Sequence, residues 1–331
     1  MPVSALPEAN NHLKNDPMQN LLRLEAIKWG IEVIELFDQQ SLLFVKDGRE
    51  VLFSEGFPLN LLSVQSEQII DNKQLTKRYF EKAGIYYPKS ITFQNLDKHT
   101  TDHLQDFWQQ EQVYVCKPQD ATNGEGVQMH ITHYSEVEQY WLTWKDRFSI
   151  FMLEEQVQGE DLRIQAIGGE LVAACTRIPA YVNGNGHSRL STLIERKQIE
   201  VARQNPCNRL VIDKDSIELL NTQHMQLESI PSKGQKIQLK YVANMAQGGV
   251  AVDVTDKLHP KYIEWTKKLS ELLNISIFAL DLMTTDYSVE PTFKNSWAIE
   301  INAKPQWLHH TFSEHRTHPI PEKILKLVFD L

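Results

Sequence analysis

The 331-residue chain has the composition of a globular protein, with 41% hydrophobic and 23% charged residues. At about 150 residues per domain, this length predicts roughly two domains. Asp and Glu outnumber Lys and Arg by 43 to 34, which gives a formal net charge of −9. Sequence-independent binding of nucleic acid needs a basic patch or stripe, so we expect no nucleic-acid partner.

No apolar run approaches the ~18 residues that a membrane-spanning helix needs, so we expect no membrane association. The first residues, MPVSALPEANNHLKNDP, lack the apolar core of a signal peptide. Of the three cysteines, Cys116 and Cys175 lie in apolar, strand-like runs, and no CxxC pair occurs. This usage predicts free thiols in a reducing, cytoplasmic compartment and no thiolate zinc site.

The first part of the chain predicts a small N-terminal unit of about 70 residues. A polar tail to about residue 16 precedes a helical spacing over 17–27 and a strand over 31–37. A hairpin follows over 41–53, and its turn contains Asp47 and Gly48. We therefore predict an α/β-hairpin unit at this end.

The remainder predicts a mixture of helices and strands. A helix over 71–83 ends at Gly84, and an amphipathic helix covers 262–273. Strands are predicted over 113–117, 148–155, 161–177 with a turn at 168–169, 237–243, 277–283 and 297–302. Hairpins are more evident than βαβ units, which favours the α+β class.

Three polar residues occupy positions in apolar strands: Asp281, Glu300 and Asn302. Residues two apart on a strand point to the same face, so Glu300 and Asn302 can converge on one ligand. An unpaired buried carboxylate is costly, and oxygen ligands of this kind suit Mg²⁺. The alternative to a metal site is that these polar residues lie at strand ends that face water.

Two lysines and a glycine-containing loop suggest a phosphate site. Lys117 closes the strand over 113–117, and the sequence NGEGV follows at 123–127. Such a loop lets backbone amides approach phosphate oxygens, and a lysine adds a point charge. The loop matches neither GxxxxGK[ST] nor GxGxxG, so it can also be a plain turn. Lys73 opens the helix over 71–83, where a solvated lysine is the alternative.

Two arginines lie in the strand pair over 161–177. Arg163 and Arg177 suit bidentate contact with phosphate or carboxylate, and a salt bridge within the sheet is the alternative.

The histidines at 309, 310, 315 and 318 do not have the spacing of a standard zinc site. We interpret them as a polar rim around a substrate pocket.

Taken in order, these segments resemble an ATP-grasp carboxylate–amine ligase. The resemblance covers about residues 71–331 and is strongest to the ligase modules of cyanophycin synthetases and bifunctional glutathione synthetases. The matching segments are DNK at 71–73, VCKP at 115–118, NGEGV at 123–127, EEQVQGEDLR at 154–163, LVAACTRIPA at 171–180, VNGNG at 182–186, GGVAVDVTD at 248–256 and IEIN at 299–302.

The resemblance implies an ATP-grasp fold, in which two α+β subdomains grip ATP. They would be residues 71–153 and 154–331, after the N-terminal unit at 1–70. The implied reaction forms an acyl phosphate from a carboxylate and ATP, and an amine then displaces phosphate to give an amide. ADP and phosphate are released. The implied cofactors are ATP and Mg²⁺ or Mn²⁺, and the implied substrates are amino acids or short peptides.

The resemblance also implies roles for individual residues. Lys73 and Lys117 would contact the phosphates, and Arg163 and Arg177 would face the phosphates or the acyl phosphate. We assign catalytic roles to Lys117 and both arginines. The loop over the phosphates would include Asn123, Gly124, Gly126 and Val127. The adenine hinge would be Glu154, Glu155, Gln156 and Val157, with Asp161 near the ribose. The metal would be held by Asp281, Glu300 and Asn302.

The sequence departs from the family after the proposed metal residues. Relatives often read Asn-x-x-Pro-Gly there, whereas this chain reads NAKPQW at 302–307. The resemblance therefore does not identify the substrates. Two other functions stay open: a ligase that modifies a protein or ribosomal peptide, and a nucleotide-binding module without catalysis. We also consider a homodimer.

Overall fold

A computed structural model describes residues 16–36, 41–119, 125–204, 208–243 and 245–331. Within these ranges the chain forms two compact units. The first contains the described residues up to Leu61, together with Asp161–Asp256 and Lys304–Leu331. The second contains Leu62–Glu160 and Lys257–Ala303. The predicted segments at 1–70, 71–153 and 154–331 stay a prediction.

The N-terminal part of the first unit has the predicted helix and hairpin. Helix α1 is Pro17–Lys28, and the Asp16 carboxylate caps it by accepting from the Met18 amide at 2.8 Å. An antiparallel sheet follows with its strands in chain order: β1 Glu32–Glu35, β2 Ser41–Lys46, β3 Arg49–Ser54 and β4 Phe57–Pro58. Positive φ angles at Asp47 and Gly48 make the tight turn between β2 and β3. The end of the predicted strand over 31–37 lies outside the described residues.

The second unit begins with two helices and a four-stranded sheet. Its elements are α2 Val64–Asp71, α3 Lys73–Ala83, β5 Ser90–Phe93, α4 Lys98–Phe107, β6 Tyr114–Pro118, β7 Gln128–Ile131, α5 Tyr134–Trp144 and β8 Phe151–Glu155. All pairs in the sheet are antiparallel, in the order β5-β8-β6-β7. Helix α3 ends at Gly84 in the left-handed region, as predicted, but it starts at the Asn72 cap, because Asp71 is the last residue of α2.

The first unit continues with a strand hairpin and a helical insertion. Its elements are β9 Glu160–Ile167, β10 Glu170–Ile178, β11 Tyr181–Asn183, α6 Leu190–Gln204, α7 Lys214–Thr222, β12 Lys236–Gln238 and β13 Val250–Asp253. Strand β10 pairs antiparallel with β9 and with β13, and β11 pairs with β12. The predicted strand over 237–243 is wrong beyond Gln238, because β12 pairs with only the three residues of β11.

The remaining elements complete both units. In the second unit they are α8 Lys261–Leu273, β14 Ile277–Thr284 and β15 Ser296–Asn302, and the two strands are antiparallel. In the first unit they are α9 Leu308–Thr311 and α10 Ile320–Phe329. Helices α1 and α10 pack together in the first unit, and α3 packs on α8 in the second. No helix in the described ranges is long and apolar enough to cross a membrane.

Candidate functional site

A buried carboxylate in the second unit joins two lysines. Glu154, on β8, is 3% exposed. Its Oε1 accepts from Lys117 Nζ of β6 at 2.5 Å, and its Oε2 accepts from Lys77 Nζ of α3 at 2.6 Å. We call these three residues the triad. Strands β6 and β8 are neighbours in the sheet, and this pairing brings Lys117 beside Glu154.

The charges of the triad stabilise one another. Burial alone would raise the pKa of Glu154, but the ammonium groups of Lys117 and Lys77 outweigh it and hold the pKa below its usual value. Burial lowers the pKa of Lys77, and the Glu154 carboxylate opposes that shift. With both lysines protonated, the triad carries one surplus positive charge in a buried place. A surplus of this kind suits an anionic ligand.

Lys73 extends the positive charge toward the end of β6. Its Nζ donates to the backbone carbonyl of Gln119 at 3.0 Å. Gln119 follows the strand that carries Lys117, and its own amide donates to Ile150 O. Lys73 and Lys77 lie one helical turn apart on α3. The structure therefore brings both predicted phosphate lysines to the same end of the sheet.

The described part of the glycine-containing loop packs against the end of β6. Gly126 has a φ of +67°, and a Cβ there would lie 2.8 Å from Pro118 Cγ. The Tyr140 hydroxyl donates to the Gly126 carbonyl at 2.7 Å. Only glycine fits this combination of backbone conformation and close approach. Val127 is exposed. The predicted contributions of Asn123 and Gly124 lie outside the described residues.

The predicted adenine hinge leaves the end of β8 with its backbone held on two sides. The Glu155 amide donates to Lys89 O at 2.9 Å, and the Gln156 amide donates to Val113 O at 2.8 Å. The Gln156 side chain accepts from the His130 amide at 2.8 Å. After Val157 the chain reaches Gly159, where a Cβ would lie 2.5 Å from the Thr284 carbonyl oxygen. This contact brings the end of the hinge close to β14.

The predicted metal residues come together on the β14–β15 pair. Asp281 lies directly opposite Glu300, and Asn302 follows two residues later. The Asn302 amide nitrogen lies 3.2 Å from Asp281 Oδ2 and 3.4 Å from Glu300 Oε1. Asp281 is buried, at 5% exposure. Two carboxylates and one amide form an oxygen donor set that fits Mg²⁺ once the amide presents its oxygen instead of its nitrogen.

A groove of the second unit lies beside Lys73 and Lys77, since Ser90, which accepts from Lys77 Nζ, also lines it. It has a volume of about 610 Å³ and is lined mainly by β5, α4 and the start of α3. Asn72 and Gln119 also line it, beside the Lys73 contact. Among the described residues that line it, none is a lysine, arginine, aspartate or glutamate. A polyphosphate needs charge neutralisation, so we place the candidate site at the triad and not in this groove.

The predicted arginines lie together on the β9–β10 hairpin of the first unit. Arg177 lies opposite Asp161, and its Nε and Nη2 donate to Asp161 Oδ1 at 2.8 and 2.7 Å. Arg163 is two residues beyond Asp161 and is buried. Arg177 therefore forms a salt bridge within the sheet, which was the alternative to a phosphate contact. The salt bridge joins Arg177 to Asp161, although the resemblance gave these two residues separate roles.

Three of the four C-terminal histidines of the first unit, His309, His310 and His318, are buried, whereas a polar rim would be exposed; His315 is exposed. His309 and His310 lie on α9, and burial holds the pKa of both well below its usual value. The positive charge of Arg163 adds to the effect. His318 Nε2 lies 2.6 Å from Asp253 Oδ1. Within the described ranges, no three His, Cys, Asp or Glu residues form a group that could hold a metal.

Sequence reasoning missed Lys77. Its signal was its position: it is three residues before Phe80, on the face of α3 that is buried along its length. A lysine on an apolar helix face needs a buried anionic partner. The identity of that partner, Glu154, is 77 residues further along the chain.

Comparisons with known proteins agree with this reading of the fold. No family model matches the chain. It is 29% identical to a glutathione biosynthesis bifunctional protein of Clostridium perfringens over 94% of this chain and 40% of the relative. It is 28% identical to a cyanophycin synthetase of Synechocystis sp. over 78% of this chain and 30% of the relative. The chain therefore spans less than half the length of these relatives.

A solved structure shows the same fold. The crystal structure of a bifunctional glutathione synthetase from Pasteurella multocida superposes with a TM-score of 0.72 and 23% identity. The match covers 96% of this chain and 44% of the other. The predicted resemblance to ATP-grasp ligases and the predicted α+β ATP-grasp fold are confirmed.

Proposed function

We propose that this chain is an ATP-dependent carboxylate–amine ligase. It activates a carboxylate as an acyl phosphate and joins it to an amine, with release of ADP and phosphate. The substrates we propose are amino acids or short peptides. The similarity to ATP-grasp ligases over nearly the whole chain supports this reading.

The observation that carries the proposal is the charge arrangement of the second unit. Lys77 and Lys117 flank one buried carboxylate, Glu154, and Lys73 lies at the same end of the sheet, where it donates to the Gln119 carbonyl. Separately, Asp281, Glu300 and Asn302 form an oxygen donor set. A nucleoside triphosphate with a divalent cation needs both kinds of group: cations for its phosphate oxygens and oxygen ligands for its metal.

We assign the nucleotide contacts to residues of the second unit. Lys117 and Lys73 neutralise phosphate oxygens, and we assign the glycine-containing segment at 123–127 to the same phosphates. The hinge residues Glu154, Glu155, Gln156 and Val157 present backbone and side-chain groups to the adenine. Because the hinge backbone is tied to Lys89 and Val113, its hydrogen-bonding groups are held in place before the nucleotide arrives.

A divalent cation, Mg²⁺ or Mn²⁺, fits the donor set of Asp281, Glu300 and Asn302. When bound, it would supply Lewis-acid polarisation and charge neutralisation at phosphate oxygens. Asp281, Glu300 and Asn302 would hold it; without a cation, the Asn302 amide nitrogen lies within hydrogen-bond distance of both carboxylates.

By similarity we assign Arg163 and Arg177 to the acyl phosphate. The Asp161 carboxylate fixes the Arg177 guanidinium through two hydrogen bonds. A fixed cation stabilises developing negative charge without reorganising during the reaction. Exclusion of water by the loop protects the acyl phosphate from hydrolysis. Phosphoryl transfer of this kind depends mainly on positioning and charge, which these residues supply.

We place the reaction in the cytoplasm. Cys116 and Cys175 are both buried, and burial raises the pKa of Cys116 to about 12. A thiol that stays protonated at neutral pH resists oxidation. These features are compatible with a reducing compartment.

The test is a matrix of amino acids and dipeptides with ATP and Mg²⁺. Phosphate release is measured together with the mass of the product. Amide formation for at least one pair supports the proposal. Phosphate release that requires a longer peptide would indicate a peptide-modifying ligase. ATP binding without ADP release under any mixture would indicate a binding module and contradict the proposal.

Two variants link the activity to the site. Glu300→Gln keeps the shape of the side chain but removes one negative charge, and we expect turnover to fall by orders of magnitude. Glu290→Gln, an exposed carboxylate of the same unit, is the matched control. Equal turnover in both variants would remove Glu300 from the metal site.

A further inference from the structure

The three hydrogen bonds of Lys77 fix it in place. Its Nζ donates to Glu154 Oε2 at 2.6 Å, to Ser90 Oγ at 2.6 Å and to the Pro88 carbonyl at 2.8 Å. An ammonium group has three N–H donors, so these acceptors use all of them. Lys77 is buried at 7% exposure, and it has no donor left for a ligand.

Lys117 has a different set of contacts. It is equally buried, but in the part of the chain that the structure describes its Nζ has one hydrogen-bond acceptor, Glu154 Oε1. Two of its N–H groups are therefore available to an anion. The two lysines of the triad thus divide into one that is saturated and one that can exchange partners.

This division matters for the buried carboxylate. A charged group that loses its counter-ion in a buried place is strongly destabilised. If Lys117 turned toward a phosphate and Glu154 had no other cation, the carboxylate would be left without charge compensation. With Lys77 on its second oxygen, Glu154 keeps a counter-ion while Lys117 contacts the ligand.

We propose that Lys77 is a positioning residue for nucleotide binding: it neutralises Glu154 permanently and so releases Lys117 to contact phosphate. The inference rests on the proposed function, because it assumes that the anion at Lys117 is the phosphate of ATP. The low pKa of Glu154 agrees with this arrangement, since a permanently paired carboxylate stays ionised.

The test compares the affinities of ATP with Mg²⁺ and of adenosine, both measured by calorimetry on the full chain. Lys77→Met removes the permanent cation, and Lys117 then stays with Glu154. We expect ATP affinity to fall about tenfold or more and adenosine affinity to change much less, because adenosine has no phosphate. Lys82→Met, an exposed lysine of the same helix, is the matched control.

A double variant separates positioning from a merely structural role. Lys77 acts through Lys117 in this proposal, so Lys77→Met in a Lys117→Met background should weaken ATP binding little further. A structural role would weaken ATP and adenosine alike and would add to the effect of Lys117→Met. Either of those results would overturn the inference.

A milder variant covers the case in which Lys77→Met does not fold. Ser90→Ala removes one of the three acceptors and leaves all charges in place. Like Lys77→Met, it should lower the ratio of ATP affinity to adenosine affinity. An unchanged ratio would count against the inference. If the wild-type chain bound no ATP, the proposed function itself would fail, whatever the Lys77 variants did.

Discussion

Replacing Glu154 with Gln should strongly destabilise the second unit. The carboxylate is 3% exposed, and each of its oxygens accepts from an ammonium group whose side chain is less than one-tenth exposed. Breaking a buried ion pair by removing one partner costs about 3–5 kcal/mol. The Gln carbonyl can still accept from one lysine, and Lys77 keeps Ser90 and Pro88. We therefore expect a loss of about 3 kcal/mol at pH 7.

The loss should depend on pH in a defined way. In the variant the two lysines lack an anion, so the folded-state pKa of Lys77 falls further below its unfolded value. A base with a depressed folded pKa gains stability as pH rises, because the unfolded chain binds more protons. The difference between wild type and variant should therefore shrink between pH 7 and pH 10.

The stability difference between wild type and variant should also shrink in acid. Glu154 has a lowered folded pKa, so its contribution is present above the unfolded value of 4.5 and is lost as pH falls below it. Wild type and variant should thus converge in acid as well.

Urea unfolding at several pH values measures these differences, with Glu138→Gln, an exposed carboxylate of α5, as the control. The control should stay within about 0.5 kcal/mol of wild type. A Glu154→Gln loss below about 1 kcal/mol, or one that does not change with pH, would refute the reasoning, since a buried and doubly paired charge cannot be so weakly coupled.

Three further predictions concern single positions. Gly126→Ala should cost about 1–3 kcal/mol more than Gly30→Ala, because both have a positive φ but only Gly126 would place a Cβ against Pro118. Equal losses in urea unfolding would contradict this. The Lys240 contact and the Ser216 amide lower the pKa of Asp213 to about 2. Because this side chain is half exposed, water screens its charge, and Asp213→Ala should lose only the roughly 1 kcal/mol of a helix N-cap in urea unfolding at pH 7 and converge with wild type between pH 4 and 2. His310→Leu should unfold at the same or higher urea concentration, because neither ring nitrogen of this buried histidine has a hydrogen-bond partner among the described residues; a lower midpoint would contradict it.

Local sequence signals determined the elements that depend on local chemistry. Asp47 and Gly48 predicted the hairpin because they adopt positive φ at little cost, and the two bounding strands formed as expected. Gly84 marked the end of α3 because it adopts the left-handed conformation that closes a helix C-terminus. The period of two along β15 predicted that Glu300 and Asn302 share a face, and their side chains lie within 3.4 Å.

Other elements had no such signal. Helices α4, α5, α6 and α7 were not predicted, because their residues are partly polar and their burial depends on neighbours distant in the chain. The strand expected over 237–243 shortened to β12, because a strand is only as long as the partner that pairs with it. Propensity is a weak prior where tertiary contacts decide.

In the candidate site, too, some features were predictable from the sequence and others were not. Residue types and motifs pointed to Lys73, Lys117 and Asp281, because charged groups in apolar or helix-start positions require a chemical reason. The sequence could not show that Glu154 holds Lys117 and Lys77 together, or that Asp161 holds Arg177. Those pairs depend on the register of neighbouring strands and on the packing of α3, which join residues 16 to 77 positions apart. Electrostatic interactions act through space over a few ångströms, so only the tertiary structure decides which charges compensate each other.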